Sequence, residues 1–531
     1  MRSSHRLLIT LTGIILLGAI LRLINVSDTF FFGYDQARDI HEVYEMVTLP
    51  KLKVVGPGTD IPGLFSGPLF YYLLAIPYTL FNFNPNSAIL LLILINLSGI
   101  PLLYYLGKKM GGQTVGFIAS ILWATSFEQA NFSRFLSNPS FLSIIAIILF
   151  FGLYTWCVEK KWWGLPLSVI GLGLGTQLDF YLIYLIMVYP LVYFLFKPSL
   201  NKKNIVWSLI CGGLLFSTFL IAEIKFKFIG TTSFLNYLLT HQSQGMSFQG
   251  MLFINSLNKS IHNALFALPS YWPLVLFALV LIGLLLSVKD KKIKIFLLVW
   301  LLSTAPLFVF KGTNVVGGNF VHSTIQPAIT LIIAFFISHL SQSRYKVLAL
   351  FILSMIVISN LTLFIKDNFK SSFVLGHQNM LHYQQKKLVD YTYEKAMGKP
   401  FSICSVSDPL FINGIWSALY KLYGERKYGY MPTWAGPPQL QSKTFLSKDA
   451  KHEPLRFLII EPSFNYPSHV PQITEYSENN ISKVMAEKQF GGLRIQMRQL
   501  LPESEWNKQM REEQYEQILL KDDRYRCYFT Y

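Results

Sequence analysis

The sequence predicts an all-α protein that crosses a membrane many times and carries a small α/β domain at its C-terminal end. Of its 531 residues, 52% are hydrophobic and 15% are aromatic, and the mean hydropathy is +0.39. A soluble fold does not hide so large an apolar fraction from water. Apolar runs close to the ~20 residues that cross a bilayer recur until about residue 366, where the composition turns polar.

About eleven stretches are long and apolar enough to be spans. They lie at roughly 7–26, 86–106, 113–128, 138–157, 163–178, 180–196, 205–222, 271–288, 293–310, 320–340 and 346–366. The first run follows a basic tip, as in a signal peptide, but no small-residue cleavage site follows it. We therefore interpret it as an uncleaved first span, and residues 1–366 as a transmembrane domain.

The formal net charge of +17 is distributed in short loops between the apolar runs. These loops contain Lys108 and Lys109, Lys160 and Lys161, Lys197 with Lys202 and Lys203, Lys289 to Lys294, and Arg344 with Lys346. This positive-inside pattern predicts that the loops and the N-terminus face the cytoplasm, and an odd number of spans then puts the C-terminal domain outside. No basic stripe with interleaved aromatic residues indicates a nucleic-acid partner.

The first outer loop, residues 27–85, has two apolar features that favour interfacial helices. Apolar side chains repeat with helical spacing at Ile40, Val43, Tyr44 and Val47, with acidic residues on another face. That pattern predicts a short amphipathic helix on the outer membrane surface. The apolar segment 67–81 is shorter than a span and contains Pro68 and Pro77, which favours an interfacial or re-entrant segment.

Residues 367–531 are predicted to form an extracytoplasmic α/β domain. The stretches FSICSVS, RFLIIEP, GLRIQMRQL and RYRCYFTY are typical of strands, and QNMLHYQQKKLVDYTYEKAM and DPLFINGIWSALYKLY of helices. Outside the cytoplasm, Cys404 and Cys527 are able to form a disulfide, although four cysteines in the chain make this a weak indication. The cysteine spacing matches no metal site.

The ionisable residues near the spans collect at their outer ends and not at the membrane midplane. Ion-coupled transporters usually bury acids at the midplane, within broken helices. The pattern here therefore favours chemistry at the outer face, on a substrate that is partly lipid.

Four motifs resemble the bacterial GT-C glycosyltransferases, relatives of the protein O-mannosyltransferases and of the lipid A aminoarabinose transferases. They are GYDQARD after the first span, then SGPLFYYL, ANFSRFLSNPS and GLGTQLDFYL, and the resemblance covers roughly residues 1–366. It implies a sugar donor linked to polyprenyl phosphate and an acceptor hydroxyl that attacks with inversion. It also implies that an acid in the first outer loop is the general base.

By this resemblance Asp35 is the expected base and Asp39 the second choice. A carboxylate within hydrogen-bond reach can take the proton of an attacking hydroxyl. The chain departs from the family because Gln36 replaces the second acid of an Asp-Glu pair. A further family acid would fall near Ser66, where the nearest carboxylate is Asp60. A two-carboxylate or metal arrangement is thus in doubt; no cofactor is assigned, and a divalent cation stays open.

The leaving polyprenyl phosphate is already anionic, so it needs cationic contacts more than a general acid. The expected phosphate-binding residues are Arg38, Arg134, Lys311 and His322, and Asp179 and Asp60 are further candidates for the cavity. Each has a structural alternative. Asp35 and Asp179 are able to cap helices, Arg38 to pair with Glu42, Arg134 and Arg22 to snorkel, and Lys311 and His322 simply to end spans.

The sequence therefore predicts a glycosyltransferase that lies in a bacterial-type plasma membrane and acts at its outer face. Its partners would be a lipid-linked sugar donor, membrane lipid, and a glycan, lipid or protein acceptor. Two alternatives stay open at this point. One is an oligosaccharide ligase or polymerase, and the other is a transporter or flippase of lipid-linked sugars.

Overall fold

The structure, a computed structural model, describes residues 2–243, 248–265, 273–309, 321–366, 379–436, 439, 444–462, 466 and 469–506. The chain forms two compact units. The first comprises Met1–Ile24, Lys51–Pro77 and Ser87–Phe369, and the second comprises Asn25–Pro50, Tyr78–Asn86 and Lys370–Tyr531. Two pieces of the predicted first outer loop therefore belong to the same unit as the C-terminal part of the chain.

Helices dominate the chain as far as residue 366. They are α1 (Arg2–Leu23), α2 (Val26–Thr29), α3 (Tyr34–Thr48), α4 (Leu69–Leu80), α5 (Pro85–Leu97), α6 (Gly99–Gly111), α7 (Gln113–Thr125), α8 (Phe127–Arg134), α9 (Leu142–Cys157), α10 (Gly164–Leu178), α11 (Val188–Phe196), α12 (Lys202–Lys225), α13 (Ile229–Ser243), α14 (Gly250–Leu265), α15 (Pro273–Ser287), α16 (Lys291–Leu301), α17 (Gln326–Ser341) and α18 (Lys346–Lys366). Short 3₁₀ helices cover Asn138–Phe141, Phe180–Met187, Ala305–Phe308 and Val321–Ile325.

Within the described residues, six helical segments are long and apolar enough to cross a membrane. They are His5–Leu23, Pro85–Gly111, Asn138–Cys157, Lys202–Lys225, His322–Ser341 and Lys346–Lys366. Shorter apolar helices cover Leu69–Leu80, Gln113–Thr125, Gly164–Leu178, Phe180–Phe196 and Ala278–Ser287. The predicted spans coincide with helical segments wherever they are described, but the number eleven and the orientation of the termini stay predictions.

The first unit has an interior and an apolar outer surface. In the span that contains α9, 89% of the apolar window is buried inside the protein. In the α12 span, only 6% of the corresponding window is buried. Large apolar side chains on α12, such as Leu209 and Leu214, are about 70% exposed. An exposed apolar surface of this kind is what a bilayer solvates and water does not.

Helices α9 and α10 approach closely because glycines line their contact. A Cβ atom added at Gly171 would lie 2.6 Å from the backbone of Leu149, and one at Gly152 would lie 2.4 Å from the nitrogen of Ser168. No side chain fits at such distances. Small residues at a helix contact are typical of membrane bundles, where close backbone packing replaces the hydrophobic effect.

The C-terminal part of the second unit alternates helices and strands. It contains α19 (His382–Ala396), β1 (Ser402–Val406), α20 (Gly414–Leu419), α21 (Glu425–Tyr428), β2 (Thr433–Trp434), β3 (Leu455–Ile460), α22 (Val470–Asn479), β4 (Ser482–Phe490) and β5 (Leu493–Leu500). A π-helix covers Tyr420–Gly424, and a 3₁₀ helix covers Glu503–Glu505. The predicted α/β character of this region is confirmed.

These strands form one five-stranded sheet in the order β2-β1-β3-β5-β4. Strands β2, β1 and β3 are parallel, and β5 is antiparallel to both β3 and β4. The sequence predicts β1, β3 and β5 but misses β2 and β4, and the predicted strand RYRCYFTY lies outside the described residues. Cys404 in β1 is buried and disulfide-bonded, and its predicted partner Cys527 also lies outside the described residues.

Helix α3 forms as predicted, but its apolar face has a different environment. Ile40 and Val43 are fully buried, and α3 packs against α20. The ring of His41 stacks on Phe445 with centroids 4.1 Å apart. The prediction that this face lies on the membrane surface is wrong, because protein of the same unit covers it.

The segment before α3 is tied to the second unit by its backbone. The amide of His382 donates to the carbonyl of Phe30 at 3.1 Å, and Nε2 of Gln385 donates to the carbonyl of Phe32 at 2.7 Å. Both donors belong to α19, so this helix holds the segment that leads into α3.

Candidate functional site

The start of α3 presents the acids that the sequence singles out. Gly33 is the N-cap residue, and Oε1 of Gln36 accepts a hydrogen bond from its amide at 2.9 Å. Asp35 lies within the first turn, so it is not the N-cap and the structural alternative for this residue is wrong. Gln36 takes a capping role at the position where the family carries its second acid.

Arg38 joins the two aspartates of this turn. Its Nη1 donates to Oδ1 of Asp35 at 2.8 Å, while Nε and Nη2 donate to Oδ1 of Asp39 at 2.9 and 2.8 Å. Bonds between charged groups at these lengths are strong and directional. We call Asp35, Arg38 and Asp39 the acid cluster; all three belong to the second unit.

The two carboxylates of the acid cluster lie in different environments. The side chain of Asp35 is 57% exposed, whereas that of Asp39 is only 2% exposed. Burial raises the pKa of Asp39 to about 7; Arg38 opposes this rise, and the charges of Asp35 and Glu42 add to it. Asp39 is therefore poised to exchange a proton near neutral pH, and Asp35 is the carboxylate that a solute can reach.

Tyr78, a second-unit residue that the sequence analysis missed, lies close enough to Asp39 to interact with it electrostatically. Its hydroxyl is buried and makes no hydrogen bond to any described residue. The ring packs on Phe83 with centroids 5.8 Å apart, which fixes the position of the hydroxyl. An unsatisfied buried hydroxyl is rare, and here it lies beside the cluster.

Arg134, a predicted phosphate contact, is buried in the first unit. It donates to the carbonyls of Leu21 at 3.2 Å, Arg22 at 3.0 Å and Ile24 at 2.6 Å, at the C-terminal end of α1. Orphan carbonyls at a helix end require such donors, so the residue has a structural explanation. Its role as a phosphate contact stays a prediction.

Arg22 also differs from its predicted snorkelling. The side chain is fully buried and donates to Oδ1 of Asn96 at 2.9 Å and to the carbonyls of Ala124 at 2.9 Å and Trp123 at 3.1 Å. It therefore connects α1 to α5 and α7 and does not reach an interface.

Asp179 and Asp60 lie near each other in the first unit, as their electrostatic interaction shows. Asp179 caps the 3₁₀ helix Phe180–Met187, with Oδ1 accepting from the amide of Tyr181 at 3.1 Å. The capping alternative is therefore confirmed for this residue. Burial raises the pKa of Asp179 to about 6, and Asp60 adds to that rise.

His322 belongs to a polar cluster that also involves one face of α14. Its Nε2 hydrogen-bonds Oγ of Ser256, and Nδ2 of Asn263 donates to Oε1 of Glu128 at 3.1 Å. Lys259 lies between these contacts along the helix and interacts electrostatically with both Glu128 and His322. The polar spacing i, i+3, i+7 in NSLNKSIHN is the signal that would have indicated Lys259. Lys311 lies outside the described residues.

A groove of about 280 Å³ opens in the first unit. Its walls are mainly aromatic and aliphatic, and include Phe180, Phe216 and Phe219. Glu223 also lines it, with both carboxylate oxygens accepting from the amide of Thr231 at 3.2 Å. An apolar groove with one polar wall suits a ligand that is mostly hydrocarbon.

The residues that the structure describes contain no group of three or more His, Cys, Asp and Glu side chains able to hold a metal ion. Within the acid cluster, Arg38 bonds one oxygen of each of the two carboxylates.

Comparison with known proteins adds the family context. Residues 65–221 match the sequence profile of a family described as dolichyl-phosphate-mannose-protein mannosyltransferase. No curated protein sequence matches the chain significantly.

Among solved structures, ArnT from Cupriavidus metallidurans bound to undecaprenyl phosphate is similar, with a TM-score of 0.57 and 10% identity over 92% of this chain and 97% of that chain. Its apo form gives the same TM-score and identity over 93% and 98%. The Archaeoglobus fulgidus oligosaccharyltransferase in complex with Zn and sulfate has a TM-score of 0.46 and 13% identity over 85% and 68%. The chain therefore has the fold of the ArnT structures, and its match to the mannosyltransferase profile over residues 65–221 agrees with the GT-C resemblance that the sequence predicts.

Proposed function

We propose that this protein transfers a sugar from a polyprenyl-phosphate donor to an acceptor hydroxyl at the outer face of the membrane. The observation that carries the proposal is the acid cluster, in which Arg38 positions an exposed and a buried carboxylate, in a chain with the GT-C fold. The similar ArnT structure holds undecaprenyl phosphate, which supports a donor of the same class here.

In this proposal Asp35 is the general base. A base must come within about 2.6–3.2 Å of the hydroxyl whose proton it takes, and the exposed carboxylate of Asp35 is accessible to an acceptor. Arg38 fixes its orientation through the 2.8 Å bond. Asp39 is a positioning residue, because its contact with the reaction is through Arg38.

The transfer is a single displacement at the anomeric carbon of the sugar. The acceptor oxygen forms a bond to this carbon as its proton passes to Asp35, and the bond from the carbon to the phosphate oxygen breaks. The electron pair stays on the phosphate, which leaves as polyprenyl phosphate. One displacement inverts the configuration, as it does in inverting glycosidases that use one base and one attack.

The proposed contact for the leaving phosphate is Arg38, which bonds the base Asp35 and which the sequence analysis predicts as a phosphate contact. Fixed cations stabilise charge that develops on the leaving group, and they need no proton transfer.

The experiment is transfer by the purified protein in lipid nanodiscs, with a panel of radiolabelled undecaprenyl-phosphate sugars and membrane extract as acceptor. Asp35→Asn should abolish transfer, and Asp28→Asn, at an exposed acid of the same loop, serves as the matched control. Unchanged transfer by Asp35→Asn would refute the assigned base. Translocation of the labelled lipid without any transfer would favour a flippase instead.

A further inference from the structure

The second unit contains a cleft of about 520 Å³ that the proposed chemistry does not use. It lies between the segment that follows α4 and the helices α19, α20 and α21, and all of its lining residues belong to this unit. The volume is within the range of small-ligand sites, roughly 300–1,000 Å³. We call it the second-unit cleft.

Three cations line the second-unit cleft, namely Lys386, Arg426 and Lys427. None of the lining residues is acidic. Only Lys427 has a described carboxylate partner, Asp390 at 2.9 Å, and the guanidinium of Arg426 instead hydrogen-bonds the carbonyl and side-chain oxygens of Asn82. The cleft therefore has a net positive charge, which favours an anionic ligand over a neutral one.

His382 lines the same cleft but adds no charge to it. Burial lowers the pKa of its imidazole to about 3, and the neighbouring Lys386 lowers it further. The positive character of the cleft therefore comes from Lys386, Arg426 and Lys427 and not from His382.

Amide side chains form another wall of the cleft. Asn82, Asn84 and Asn86 alternate along the chain and all line it. Oδ1 of Asn86 is buried and has no hydrogen-bond partner among the described residues. A buried acceptor without a donor costs free energy, which a hydroxyl group of a ligand would recover.

Aromatic rings complete the lining. Nζ of Lys386 lies 4.9 Å from the centroid of the Tyr423 ring and that of Lys427 lies 5.4 Å from it, so both cations contact this ring. Phe81, also in the lining, is 56% exposed. Rings that present an apolar surface beside amides and cations can pack on the apolar face of a sugar while the polar groups bind its substituents.

We propose that the second-unit cleft binds an anionic glycan, that is, a sugar that carries a phosphate or carboxylate group. The cations would bind the anionic group, the asparagines would bind hydroxyl groups, and Tyr423 and Phe81 would pack on the ring. Its role as an acceptor subsite rests on the proposed function, but the binding itself does not.

The test is direct binding to the full-length protein in nanodiscs, measured by isothermal titration calorimetry with glucose 6-phosphate, glucuronate, glucose and inorganic phosphate. Both anionic sugars should bind at least tenfold more tightly than glucose, and glucose 6-phosphate more tightly than phosphate alone. Lys386→Gln should weaken their binding about tenfold, as expected for the loss of a charged hydrogen bond. Lys483→Gln, at an exposed lysine of β4 outside the cleft, should leave it unchanged.

Asn86→Ala provides a second variant in case Lys386→Gln disturbs the fold. This variant should weaken the binding of glucose 6-phosphate and leave the binding of inorganic phosphate unchanged. The proposal is overturned if glucose binds as tightly as its phosphate, if inorganic phosphate binds as tightly as the sugar phosphate, if Lys386→Gln behaves like Lys483→Gln, or if a phosphoserine peptide binds more tightly than either sugar.

Measurement on the Asp35→Asn variant separates this inference from the proposed function. Anionic sugars should bind it as they bind the unaltered protein. Loss of transfer with retained binding would support both proposals. If the protein transfers sugar but binds neither anionic sugar, only the proposal that the cleft binds an anionic glycan is refuted.

Discussion

Arg38 donates two hydrogen bonds, from Nε at 2.9 Å and from Nη2 at 2.8 Å, to a single carboxylate oxygen of Asp39. The remaining donor, Nη1, is thereby directed to Asp35. The buried aspartate thus sets the direction of the guanidinium, and the guanidinium sets the direction of the exposed aspartate. Substitution of the two aspartates should therefore reduce the rate of transfer to different extents.

Asp35→Asn should reduce kcat for sugar transfer by roughly 10²–10⁴-fold, the usual contribution of a general base. Asp39→Asn should cost about 10²-fold or less, since it displaces a correctly placed group without removing it. Steady-state rates with one labelled donor measure both, and Asp28→Asn is the control. A greater loss for Asp39→Asn than for Asp35→Asn would make Asp39 the base.

The pH dependence of transfer should reveal Asp39. Its pKa is raised to about 7, so the anion that holds Arg38 forms only as the pH rises through that value. The rate of the unaltered protein should therefore rise with pH around 7, and this inflection should be missing in Asp39→Asn. A pH–rate profile from pH 5 to 9 provides the measurement, and an unchanged inflection in the variant would contradict the assignment.

The raised pKa of Asp39 also makes the stability of the folded protein depend on pH. Between the ordinary pKa of 3.8 and about 7, the folded protein keeps a proton on Asp39 that the unfolded chain has lost. Stability from this residue is complete below the lower value and is lost as the pH rises through the upper one. Thermal unfolding in detergent should thus depend less on pH in Asp39→Asn than in the unaltered protein.

Arg38→Lys should be almost as damaging to transfer as a neutral substitution. A lysine keeps the charge, but its ammonium group cannot reproduce the planar fork that reaches two carboxylates. We expect kcat to fall about tenfold or more and the effect to be strongly non-additive with Asp35→Asn, because both act through one arrangement. Additive losses in the double variant would contradict this dependence.

Arg134→Gln should affect stability and not donor binding. The substitution leaves the carbonyls of Leu21, Arg22 and Ile24 without this donor, and one such loss at a buried group costs about 1–3 kcal/mol. We expect a lower Tm in detergent and an unchanged KM for the donor, with the exposed Arg344→Gln as control. A large rise in KM at unchanged Tm would establish the phosphate contact that the sequence suggested.

Much of the fold follows from local patterns. Apolar runs of bilayer length mark the helical segments because backbone groups in lipid must pair within their own segment. Strands β1, β3 and β5 are similarly visible, since their side chains are buried within the domain. Strand β4 is not, because its side chains are mostly exposed and polar, and only its pairing with β5 makes it a strand.

The site was predictable in composition but not in arrangement. The acids of GYDQARD are evident from the chain, whereas the burial of Asp39, the unpaired hydroxyl of Tyr78 and the contacts of Lys259 come from residues distant in sequence. Arg134 is a second example. From the sequence alone, an arginine that follows a span is equally compatible with a phosphate contact and with a helix cap.

The sequence by itself therefore determined a helical membrane protein, an acidic helix after the first span and an α/β region at the C-terminal end. Each follows from the periodicity or composition of a continuous segment. Only the tertiary structure decided what covers the apolar face of α3 and which aspartate is buried. An apolar helix face satisfies lipid and protein equally well, and the environment of a carboxylate is set by residues brought to it through folding.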